Sequence, residues 1–127
     1  MPQHTYNMRI VIDLDGTICP IRQEGEFYAD LLPHEGAADK LKELKKNGHY
    51  LIIQTARNMA TCQSNVGKVM KNIGLITLEW LQKHDIQYDE IFFGKPNGDL
   101  YIDDRALRYS DWDSITETTL QQLGKAK

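Results

Sequence analysis

The chain has little that would tie it to a membrane, to an oxidising compartment or to nucleic acid. No run approaches the roughly 20 apolar residues of a membrane span, and the first residues lack the basic-then-apolar pattern of a secretory signal. No membrane partner is therefore expected, and the cytoplasm is the expected location. Cysteine is scarce. Cys19 and Cys62 are too few for a disulfide framework in 127 residues, and no CxxC or His/Cys ligand spacing accompanies them. Both read as reduced thiols, Cys19 as a small, partly buried filler. Basic excess is missing as well: a net charge of -3 argues against the broad basic stripe of a nonspecific nucleic-acid binder. The Lys40, Lys42, Lys45 and Lys46 group, with Glu43 among it, reads as the solvated face of a helix. Internal repeats and low-complexity tracts are absent, and His4, His34, His49 and His84 stand at no ligand spacing.

A hydrophobic share of 41% and a charged share of 26% suit a globular chain, and 127 residues suit one domain over 1–127. Residues 1–7 and 124–127 are polar, small or basic and are expected to fray. Arg9 to Leu14 is a short β-branched run stopped by Asp and Gly, which predicts a buried, central strand. Pro20, Gly25 and Pro33 predict a loop or flap over Ile18 to Pro33. Ala38, Leu41 and Leu44 recur every three positions before Gly48, which predicts a helix between Glu35 and Asn47. Further strands are predicted at Tyr50 to Gln54, Ile91 to Phe93 and Leu100 to Ile102. Between them, Met59 to Gly74 predicts a loop and short helix, Thr77 to His84 a helix packed on the sheet, and Thr116 to Leu123 a last short helix. This alternation is that of an α/β domain with a parallel sheet sandwiched by helices.

Four polar clusters follow directly after predicted strands, where ligands bind in open α/β sheets. The first is Asp13-Leu14-Asp15-Gly16-Thr17. Alternate residues of an extended chain share a face, so Asp13 and Asp15 start on one side while Leu14 turns to the core. Gly16 then allows a sharp turn. Two carboxylates this close repel unless a cation or hydrogen bonds compensate, so the pair calls for a divalent metal. Thr55 ends the second strand, Lys95 follows the third, and Asp103-Asp104 the fourth. Taken singly, a DxD run turns loops, a strand-end Thr is ordinary and a lone Lys is solvated. Together they suit phosphoryl transfer. Asp13 would be the nucleophile and Asp15 the general acid and base, with Thr55 and Lys95 stabilising the transferring group. Asp13, Asp103 and Asp104 offer the hard oxygen donors that Mg²⁺ prefers. Leu14, Gly16, Thr17, Ala56 and Arg57 are candidate phosphate or substrate contacts; for Arg57 an ion pair is nearly as good a reading.

These residues match, in order, the four motifs of the haloacid dehalogenase (HAD) superfamily, and the resemblance spans nearly the whole chain. It implies a Rossmann-like core and a Mg²⁺-dependent phosphoaspartate mechanism with Asp13 as nucleophile. It also implies a metal bound by Asp13, the Asp15 backbone carbonyl, Asp103 and Asp104. The second Asp resembles the phosphatase and phosphomutase branches. Thr55 to Met59, Asn65 to Lys68, Gly94 to Pro96 and Tyr101 to Ala106 look like small HAD proteins of capsule or other polysaccharide biosynthesis, which implies a sugar phosphate as substrate.

Little room is left for a large cap domain, so a neighbouring subunit is a candidate cover and Phe27, Tyr28 and Trp112 a candidate exposed patch. The expected activity is a Mg²⁺-dependent phosphatase for a small phosphorylated metabolite. A phosphotransferase or phosphomutase is the alternative enzyme. A receiver-like phospho-Asp signalling module is the alternative from another class; receivers carry their acidic pair first, whereas here it comes last.

Overall fold

The structure is a computed structural model and describes residues 8–124. The fraying expected at 1–7 and 125–127 falls outside the described residues, whereas Gly124 lies inside them and closes the last helix. Strand β1 (Arg9–Asp13) is followed by a long loop holding one 3₁₀ turn at Tyr28–Asp30, then helix α1 (Ala37–Lys46) and strand β2 (Tyr50–Thr55). A second loop leads to helix α2 (Val66–Val69), a π turn (Met70–Gly74) and helix α3 (Leu75–Lys83). Strand β3 (Glu90–Phe93) and helix α4 (Glu117–Leu123) complete the set.

The sheet is parallel, with order β1-β2-β3. Asp13 lies opposite Gln54, and Thr55 opposite Phe93, so all three strands end on one edge. The expected α/β class with no cap is what the fold shows. Two details differ from expectation. The middle strand is β2, not β1. It pairs with β1 on one side and β3 on the other, and its Ile52 is 6% exposed where the neighbouring Val11 of β1 is 53% exposed. Leu100 to Ile102, expected as a fourth strand, joins no ladder, and one edge of β1 is open among the described residues. The helices also gather on one face of the sheet. Ile12, Leu51 and Ile53 share a single core with Leu41 and Leu44 of α1, Trp80 and Leu81 of α3, and Leu120 of α4. The steps from β1 to β2 and from β2 to β3 run the same way across the sheet. Connections of one hand therefore put both crossovers on one side. On the opposite face Val11, Tyr50 and Phe92 remain exposed and Ile52 is buried.

Local chemistry sets the element ends. Gly48 takes the left-handed conformation just past α1 (φ 95°), where a side chain would be strained. Thr116 caps α4 by accepting from the Thr119 N–H at 3.2 Å. Trp112, expected on the surface, is instead buried. Its Nε1–H donates to the Thr17 carbonyl at 3.0 Å, pinning the C-terminal loop to the turn after β1. Asp89 joins helix to sheet by accepting from Lys45 Nζ of α1 at 2.7 and 2.8 Å and from the Leu51 N–H of β2 at 2.8 Å.

Burial alone would raise the Asp89 carboxyl, but the hydrogen bonds from Lys45 and Leu51 and the Lys45 charge outweigh it and hold the group below its ordinary 3.8. A depressed carboxyl contributes stability above the ordinary value and loses it as pH falls through the folded one. Asp89→Asn is therefore expected to cost about 1–2 kcal/mol at neutral pH. The gap between parent and variant in denaturant titrations should close as pH falls below 3.8; a gap independent of pH would refute the assignment.

Candidate active site

The chain turns sharply beyond β1. Leu14 goes to the core and is fully buried, and its carbonyl accepts from the N–H groups of Ile18 at 2.9 Å and Cys19 at 3.2 Å. Gly16 supplies the left-handed conformation this turn needs (φ 87°). Its N–H donates to the Cys19 carbonyl at 2.7 Å, and the Thr17 N–H faces the Leu14 carbonyl at 3.4 Å. These amides, expected at the phosphate, are thus engaged within the turn itself.

Asp13 faces Lys95, with 3.3 Å between Oδ1 and Nζ. Lys95 reaches it because the N–H groups of Gly94 and Lys95 both bond the Thr55 carbonyl, at 3.2 and 3.1 Å, tying the end of β3 to the end of β2. The Tyr101 ring lies 4.1 Å from the ammonium. Burial is the largest influence on Asp13 and raises its carboxyl above 3.8, and the nearby Asp15 charge adds to this; Lys95 opposes both without cancelling them.

Asp15 is held by more partners. The Thr55 hydroxyl donates to Oδ2 at 3.0 Å and itself accepts from the Arg57 N–H at 3.1 Å. Arg57 Nε–H donates to Oδ1 at 2.9 Å and Oδ2 at 3.1 Å. The Cys19 thiol points at Oδ1 from 3.8 Å. Burial, with the Asp15 charge added, pushes that thiol up to about 12. Cys19 therefore stays protonated and is no nucleophile.

Of the residues expected to act together, Asp13, Asp15, Thr55 and Lys95 meet at the sheet edge. Ala56 packs with Met59 and Cys62 in a small satellite cluster. Arg57 is 4% exposed and turned inward onto Asp15, so the ion-pair reading describes its position, with a part-buried partner in place of a surface one. Asp103 and Asp104 belong to a different segment. They lie in an exposed run from Pro96 to Arg108, where Asp103 accepts from the Arg105 N–H at 2.8 Å and Asp104 stands 3.9 Å from the Arg105 guanidinium. The Tyr101 hydroxyl donates to the Pro96 carbonyl at 2.6 Å and accepts from the Gly98 N–H at 3.0 Å, which closes this segment on itself as a loop. Among the described residues no group of three or more His, Cys, Asp or Glu side chains could hold a metal. Lys95 and Arg57 are the positive side chains that face the Asp13 and Asp15 carboxylates. Tyr28 and Thr77, both in contact with Arg57, carry no motif that would have marked them as site residues.

A family model for haloacid dehalogenase-like hydrolases matches residues 10–79. The chain belongs to this family. The match covers Asp13, Asp15, Thr55 and Arg57 and ends before Lys95. The hydrolase is similar to a Vibrio cholerae protein of known crystal structure, at 38% identity over 93% of this chain and 96% of that one, with a TM-score of 0.82. It also shares its fold with part of an RNA repair complex, Pnkp1/Rnl/Hen1, at 23% identity over 82% of this chain and 31% of that one, with a TM-score of 0.51. No curated protein matches significantly. Members of this family generally use Mg²⁺. No helix among the described residues is long and apolar enough to cross a membrane.

Because ionised Asp13 is disfavoured in the folded chain, its cost is absent below 3.8, grows as pH rises above 3.8 and is complete above the raised folded value. In metal-free buffer Asp13→Asn is expected to melt above the parent at neutral pH, even though the Lys95 pair is lost. Scanning calorimetry should show this advantage shrinking as the solution is acidified; a variant that melts below the parent at pH 7 would contradict it.

Proposed function

We propose that the hydrolase is a phosphatase of small phosphorylated metabolites, working through a phosphoaspartate on Asp13. The observation that carries this reading is the meeting of two carboxylates, one at the end of β1 and one on the turn after it, with a hydroxyl at the end of β2 and an ammonium just past β3. A carboxylate oxygen at the sheet edge beside an ammonium, as Asp13 is, can attack phosphorus. One of its oxygens attacks phosphorus and the bond to the leaving oxygen breaks, with a proton on Asp15 passing to that oxygen. Water then attacks the phosphorus and gives a proton to Asp15. The bond between Asp13 and phosphorus breaks, inorganic phosphate leaves, and the Asp13 carboxylate is restored. Lys95, beside Asp13, lies where negative charge builds on the phosphoryl oxygens.

A sugar phosphate is the substrate class this reading favours. The likeness of the Thr55 to Met59 and Tyr101 to Ala106 segments to polysaccharide-biosynthesis phosphatases supports it. So does the half-exposed Tyr101 ring beside Lys95, a flat apolar surface next to the phosphate position. The reading also places the enzyme in the cytoplasm, where such metabolites are made.

Release of inorganic phosphate from an aryl phosphate, in buffer containing Mg²⁺ as the family's general cofactor, tests the reaction. Asp13→Asn is expected to lower kcat at least 1000-fold and Lys95→Ala roughly 100-fold. A panel of sugar phosphates and nucleotides tests the substrate class, with the highest kcat/KM expected among the sugars. Full activity in Asp13→Asn would sink the assignment of the nucleophile.

A further inference from the structure

We propose that Arg57 is a positioning residue that holds the Asp15 carboxylate in register for both of its proton transfers. This inference rests on the reading of Asp15 as general acid and base. Arg57 is not arranged as a substrate clamp. Its guanidinium is buried and its donors are directed inward: Nε–H to both Asp15 oxygens, one terminal nitrogen to the Thr77 hydroxyl at 3.1 Å, and the other to Cys19 Sγ at 3.6 Å. The Tyr28 ring stacks 4.1 Å from the guanidinium carbon and covers its outer face. Each of these supports is itself fixed. Thr77 is fully buried within α3, Cys19 is fully buried in the turn after β1, and the 3₁₀ turn beginning at Tyr28 is anchored by the Trp80 Nε1–H, which donates to the Leu31 carbonyl at 2.7 Å.

The backbone beside Arg57 is shaped to aim it. Asn58 adopts a left-handed conformation (φ 60°), which an ordinary side chain enters at a cost, and the Arg57 N–H is spent on the Thr55 hydroxyl. One strand end thus presents two donors to one carboxylate, the Thr55 hydroxyl and the Arg57 guanidinium. Asp15 sits on a turn, and its side chain has only its own hydrogen bonds to keep it aimed at a leaving oxygen or an incoming water. A planar fork anchored at three further points supplies that aim, which a flexible ammonium does not.

Rapid-quench kinetics of the full chain with an aryl phosphate carrying a good leaving group separates this from a purely structural role. Such a substrate forms the phosphoenzyme with little help from an acid, whereas breakdown by water still needs an aimed base. Arg57→Lys is expected to keep a fast first turnover and to slow the steady state roughly 10- to 100-fold. The ratio of burst rate to steady-state rate, normalised to active sites, therefore rises, and an alkyl phosphate loses more of its first-turnover rate than the aryl ester does. Thr77→Val, which removes one anchor and leaves Arg57 in place, is expected to raise the same ratio by a smaller factor and keeps the proposal testable if Arg57→Lys folds poorly. An unchanged ratio in the folded variants overturns the role of Arg57 while leaving the phosphoaspartate reading intact. A parent that releases no phosphate, or an active Asp13→Asn, overturns that reading and this proposal with it.

Discussion

Two carboxylates leave one strand a single residue apart, and the site is organised around compensating them. Like charges this near in the chain repel, and the Asp15 charge is one of the influences that raise the Asp13 carboxyl. The fold answers with one cation for each acid. Lys95, brought in by hydrogen bonds between the ends of β3 and β2, faces Asp13. Arg57, two residues beyond β2, is forked onto Asp15. The two answers are unequal. Burial still raises Asp13 after Lys95 has acted, while Asp15 takes donors on both oxygens. One acid is left strained and reactive, and its neighbour is held in place.

That inequality divides the labour in the proposed reaction. A nucleophile benefits from few competing hydrogen bonds, and Asp13 is paired with Lys95 through Oδ1. A proton carrier benefits from a fixed orientation, because it serves two steps in succession at nearly the same point in space. The parallel sheet makes both conditions available at one edge. With three strands in register, residues at their carboxyl ends converge whatever their separation along the chain. Trp112 extends the same logic, since its bond to the Thr17 carbonyl ties the last loop of the chain to the turn that carries Asp15.

The regular elements were legible because their signals are local. Leu41 and Leu44 repeat at helical spacing before Gly48, and Leu51 to Ile53 form a short branched run; the structure has a helix and a strand there. The family was legible because four motifs stood in order. Leu100 to Ile102 misled because an apolar triplet has strand composition whether or not a neighbour exists to pair with it. In the structure Tyr101 bonds back to Pro96 and Gly98, which closes the segment on itself as a loop. Trp112 misled for the opposite reason: an aromatic residue between two Asp residues looks exposed until a distant turn offers its indole a carbonyl.

By itself the sequence determined the chemistry at hand: which acids, which hydroxyl and which ammonium, and that each follows a strand. Those facts reside in residue identity and short-range spacing. Only the tertiary structure decided that β2 rather than β1 is central, that the helices share one face, and that Arg57 turns inward to Asp15 under Tyr28. These outcomes depend on which distant groups come within about 3 to 4 Å of one another, and contacts at that range arise from packing between elements rather than from any pattern along the chain.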